Sequence, residues 1–138
     1  MIVVDEYLAV RSLLGALPAD VPDEPVALPL SAHWRLLQRL HAPGPGQLSR
    51  VVAALPESDR EVLRAPDPTV LEVLDPRPLL DQAAQLAAQF GNTGWLIAET
   101  VTAGLHHGRS LWFGSERNVG RRLREIAEEL GVAIHIAV

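Results

Sequence analysis

The spacing of apolar residues divides the chain into short strands and amphipathic helices. It opens on "MIVVDEY", where a β-branched run at 2–5 predicts a buried strand that stops at acids. "DEYLAVRSLLGALP" follows with Leu8, Val10, Leu13, Leu14 and Leu17 at helical spacing, so Asp5 stands where the strand ends and can cap the helix. "ADVPDEPVALP" at 19–29 carries three prolines and three acids and predicts a loop. The 31–42 stretch "SAHWRLLQRLHA" predicts a helix capped by Ser31, with a stripe of Trp34, Leu37 and Leu40 and with Leu36 beside it. "PGPG" stops it, and "QLSRVVAAL" and "PESDREVLR" each predict a further short helix.

The second half is more regular. "APDPTVLEVLDPRP" holds four prolines, which leaves room only for a short strand or a helical turn around "VLEVL". Residues 79–90 and 93–107 read as two helices ended by Gly91 and Gly108. "SLWF" (110–113) then reads as a strand, 117–130 as a helix ended by Gly131, and "VAIHIA" (132–137) as a last strand. Strands joined by helical crossovers predict a parallel sheet covered on both faces, a three-layer α/β/α fold with a helical middle segment. Ligand crevices of such sheets lie beyond the carboxyl ends of the strands.

Length and composition narrow this picture. The 138 residues suit a single domain spanning 1–138, and 48% hydrophobic residues favour a folded globule. No apolar run is long enough to cross a membrane, and no positively charged region precedes the first apolar residues, so neither a membrane span nor a signal peptide is expected. The absence of cysteine excludes disulfides and thiolate metal sites and fits a cytoplasmic location. A net charge of -5 disfavours non-specific nucleic-acid binding, although local arginines could grip one RNA.

Three acids carry the candidate chemistry. Asp5 either holds a cation beyond the first strand or caps the first helix. Glu99, the one charged residue between Asp81 and Arg109, needs a partner if buried; otherwise Trp95, Glu99, Thr102 and His106 form that helix's solvent stripe. Glu116 either joins a metal site or favours the start of the next helix, with Ser115 capping. Glu6 is expected to face solvent. Together Asp5, Glu99 and Glu116 would make an all-oxygen site of the kind that takes Mg²⁺ or Mn²⁺ and serves phosphodiester hydrolysis. Arg117, Arg121 and Arg122 flank the crevice and could hold an RNA backbone, or pair along the helix, as Arg121 with Glu125. The five histidines suggest no ligand pair, and no glycine-rich phosphate loop is present.

"MIVVDEYLAVRSLLG" and the C-terminal half, "LLDQAAQLAAQF" through "ELGVAIHI", resemble PIN-domain proteins, the fold of VapC-type toxins in bacterial toxin-antitoxin pairs. The resemblance implies a metal-dependent endoribonuclease with three or four acids around Mg²⁺ or Mn²⁺, a cognate antitoxin as partner, and homodimerisation, with the apolar residues of 31–55 as a candidate surface. Asp5 matches the family's first acid. The stretch that would carry the second, "LPLSAHWRLLQRL", offers only Ser31, His33 and Trp34. The third falls at Ile97, two residues before Glu99, and the fourth corresponds to Glu116, with the following helix about one turn longer than usual. These departures leave an alternative: a PIN-like protein without catalysis that acts by binding RNA or a protein partner.

Overall fold

The computed structural model describes residues 1–138. Five strands form one sheet: β1 (Ile2–Val4), β2 (Val26–Pro29), β3 (Leu71–Leu74), β4 (Ser110–Phe113) and β5 (Ala133–Ile136). Their order is β3-β2-β1-β4-β5, and every pairing is parallel. Seven helices connect them: α1 (Glu6–Leu13), α2 (Leu30–His41), α3 (Gln47–Ala53), α4 (Glu57–Arg64), α5 (Leu80–Gln89), α6 (Trp95–His106) and α7 (Arg121–Leu130).

The central strand explains the three layers. Val3 on β1 packs with Leu111 and Phe113 of β4 against Ala83 and Leu86 of α5, Ala98 and Val101 of α6, and Leu123, Ile126 and Ala127 of α7. Its neighbours Ile2 and Val4 turn to the other face and meet Leu8 and Ala9 of α1, Val26 and Leu28 of β2, and Ala32 of α2. Successive residues of a strand point to opposite faces, so three apolar residues in a row require cover on both. A third cluster, Val10, Leu36, Leu40, Val52 and Leu63, binds α1 through α4 into the helical middle. Each fully buried side chain of this size contributes about 1.5–3 kcal/mol from the apolar area it removes from water.

Several expectations change. The end of the proline-rich 19–29 stretch is not loop but β2, paired to β1 on one side and β3 on the other. Val26, Ala27 and Leu28 are all buried there, and Pro25 before them supplies the carbonyl for the Ile2 N–H. "VLEVL" resolves into a strand. In α2 the buried face is Ala32, Leu36 and Leu40, whereas Trp34 is 59% exposed. Ser31 does not cap α2: Pro29 occupies that position without a side-chain bond, and Ser31 lies inside the first turn. The helix expected over 117–130 is two pieces, a 3₁₀ turn at Glu116–Asn118 and α7 from Arg121, and Ser115 makes no capping bond. No helix is long and apolar enough to cross a membrane.

Candidate functional site

Beyond the carboxyl ends of β1, β2 and β4 lies a cleft of about 120 Å³. The chain runs from β1 to β2 on one side of β1 and reaches β4 on its other side, so this is where open parallel sheets place ligand crevices. Asp5, Glu6, Ser31, Arg35, Thr100, Asn118 and Arg122 supply its polar wall, and Leu96, Ile97, Trp112 and Leu123 are among its apolar ones.

Asp5 caps α1 and also ties the first strand to the turn after β4. Its Oδ1 accepts the Leu8 N–H and the Gly114 N–H, both at 3.0 Å, and its Oδ2 accepts the Asn118 side-chain amide at 3.1 Å. Burial pushes the Asp5 carboxyl up to about 6; the bonds from Leu8, Asn118 and Gly114 oppose that rise, and the nearby Glu6 charge adds to it. The bond from Gly114 requires close approach of two backbones. A Cβ at that position would lie 2.7 Å from Tyr7 Cβ and 3.2 Å from the Leu8 nitrogen.

Glu6, expected at the surface, is 1% exposed. Its Oε1 pairs with the Arg35 guanidinium through Nε and Nη2, and its Oε2 accepts the Asn118 amide at 2.9 Å. One Asn118 nitrogen therefore spends a hydrogen on each acid, while its carbonyl oxygen accepts from Arg35 Nη2 at 3.4 Å. The result is a closed network: two buried acids, one arginine and one amide from α1, α2 and the 3₁₀ turn. Arg35 and Asn118 are the residues that periodicity passes over. The adjacent acids of "VVDEY" are their only trace in the sequence, since each partner lies 29 residues or more away.

Glu99 is buried, so it does not belong to a solvent stripe, and neither does Thr102; Trp95 and His106 do face solvent. Its Oε1 accepts both the backbone N–H of Ser31, at 3.0 Å, and the Ser31 hydroxyl. The carboxylate thereby sits on the first turn of α2, where the helix dipole favours negative charge. Its Oε2 has no partner. Glu116 is exposed at the start of the 3₁₀ turn and makes no side-chain bond. Arg117 is exposed and unpaired, Arg121 pairs with Glu125 at 3.0 Å, and Arg122 donates to the Phe90 carbonyl and lies 3.7 Å from Glu125. His135 stacks on Trp112 at 4.3 Å between ring centroids and is not turned to the cleft's acids.

Asp5 lines the cleft, whereas Glu99 and Glu116 do not. A hard divalent cation needs several free oxygens converging at about 2.0–2.6 Å. Here no group of three or more His, Cys, Asp or Glu side chains is placed to hold a metal ion. Both Asp5 oxygens are taken by N–H donors, both Glu6 oxygens by Arg35 and Asn118, and one Glu99 oxygen by Ser31. As arranged, these residues do not fit Mg²⁺ or Mn²⁺. What they can do is tie the cleft wall together through hydrogen bonds while its apolar side remains open. Comparison with known proteins adds no relative: no family model matches the chain, and no curated protein or solved structure matches it.

Proposed function

We propose that this chain is a PIN-like domain that acts by binding a protein partner at the carboxyl-edge cleft, without hydrolysing RNA. The observation that carries this reading is the Glu6–Arg35–Asn118–Asp5 network: protein groups fill the places where a metallonuclease offers free carboxylate oxygens. The surroundings favour a protein over RNA. Leu96 lines the cleft and is 40% exposed, Trp95 beside it is also exposed, and α2 adds Leu30 and Trp34. Exposed aromatic and aliphatic side chains next to a cleft suit a partner's apolar anchors. Two of the three arginines expected to grip RNA are engaged by Glu125 or a carbonyl.

By the resemblance to toxin-antitoxin proteins, the partner is an antitoxin encoded beside this chain. Co-expression with the adjacent gene product, followed by purification in EDTA, is expected to give a stable complex. Leu96→Asp is expected to weaken it by about tenfold or more, since a charge enters an apolar contact. RNA cleavage that requires Mn²⁺ and disappears in Asp5→Asn would overturn the proposal in favour of the metal-dependent endoribonuclease.

A further inference from the structure

A second recess, of about 200 Å³, shares Glu6, Arg35 and Asn118 with the cleft but opens between α1, α2 and the turn that joins α2 to α3. Its lining is polar, with only two hydrophobic residues of ten. Arg39 and Tyr7 stand on its walls. The Arg39 guanidinium packs against the turn, its Nη1 3.2 Å from where a Cβ on Gly44 would lie. No acid pairs with Arg39 and no acceptor takes its hydrogens, although the side chain is half-buried. Arg35 spends Nε and Nη2 on Glu6 and Asn118, which leaves its Nη1 unpartnered. Glu6 bonds to Arg35 and Asn118 and makes no bond to Arg39.

The recess therefore holds two guanidinium groups with hydrogens that the protein leaves unused. Tyr7 adds a neutral donor. Burial raises its phenol above the ordinary tyrosine range, as do the charges of Asp5 and Glu6, while the Leu48 N–H and Arg117 oppose that rise. The Tyr7 hydroxyl has no acceptor within the protein, so its hydrogen is left for a ligand. Guanidinium groups bind oxyanions through charge-assisted bonds that are shorter and stronger than neutral ones.

We propose that this recess binds the phosphate group of a small phosphorylated molecule, held by Arg39, by Nη1 of Arg35 and by the Tyr7 hydroxyl. Three separate donor side chains suit an anion with several outward oxygens better than a planar carboxylate. This goes beyond partner binding at the cleft and does not depend on it.

The test uses the full chain, with inorganic phosphate as the probe and sodium chloride at matched ionic strength as the reference. Phosphate is expected to raise the melting temperature and to give a saturable calorimetric titration. Arg39→Gln is expected to weaken binding by about tenfold or more, Tyr7→Phe by several-fold, and Arg124→Gln, on the exposed face of α7, to leave it unchanged. Tyr7→Phe carries the test if Arg39→Gln folds poorly. No phosphate effect beyond chloride, or wild-type affinity in either recess variant, would overturn the proposal. Acetate binding as tightly as phosphate would overturn the choice of phosphate. Failure here is separable from failure at the cleft, because Leu96→Asp is read in complex formation and these variants in phosphate affinity.

Discussion

Arg35→Met removes the guanidinium and keeps most of the aliphatic stem, so it isolates the charge from the packing. It leaves Glu6, 1% exposed, without its counter-charge. Removing one partner of a fully buried pair costs about 3–5 kcal/mol, and exposed pairs are worth about 0.2–1 kcal/mol. Arg35 is 38% exposed, so water reaches one end of this pair and the expected loss falls between, at about 2 kcal/mol. Urea denaturation at neutral pH measures it. Glu6→Gln in the same background completes a double-mutant cycle and should show coupling of about 1 kcal/mol or more. A loss below about 0.5 kcal/mol, or no coupling to Glu6, would refute the reasoning that this arginine compensates the buried acid.

Asp5 sets a second expectation. Its carboxyl lies at about 6 in the fold against 3.8 when unperturbed, so the fold holds the proton more tightly than the unfolded chain does. Its contribution to stability is fully present below the unfolded value and is lost as pH rises through about 6, by at most about 3 kcal/mol for two units. The stability of Asp5→Asn relative to wild type should therefore climb between about pH 4 and 6, and a flat difference across that window would be inconsistent with a buried, up-shifted acid. Glu99→Gln keeps an acceptor for Ser31 and discharges a carboxylate with one unpartnered oxygen, so its unfolding free energy should stay within about 1 kcal/mol of wild type; Glu99→Ala should lose about 2 kcal/mol by stranding the Ser31 N–H. Gly114→Ala must move Tyr7 or the α1 backbone and is expected to cost about 1–3 kcal/mol in the same denaturation assay.

The helices and strands that periodicity reveals are those with one continuous apolar signal. The run 2–4, the paired helices α5 and α6, and the β4-α7-β5 ending all carry such a signal, and the parallel three-layer sheet follows from it. Strand β2 is hidden because it has four residues, ends in Pro29 and follows two prolines, while its register is set by β1 and β3 rather than by its own pattern. The site was half visible. Asp5 stands out because a strand end and a helix start coincide there, and its capping role is realised. Glu6 looks like a surface residue because nothing in "DEYLAV" tells of Arg35, which arrives from α2. Ser31 looks like a cap until Glu99, 68 residues later, is seen to bind it. Asn118 hides inside what reads as a long helix, where a 3₁₀ turn instead aims its amide at both acids. Each miss is a polar pair between distant elements, which a one-dimensional pattern does not encode.

The most direct test of the account is thermal unfolding of the wild-type protein in EDTA and in saturating Mg²⁺ or Mn²⁺. Any ligand bound to the fold stabilises it, by about 2.7 kcal/mol at a hundred times its dissociation constant. With the carboxylate oxygens of Asp5 and Glu6 already taken by protein donors, the account predicts the same melting temperature in all three conditions. A rise of several degrees with either cation, abolished by Asp5→Asn, would contradict it.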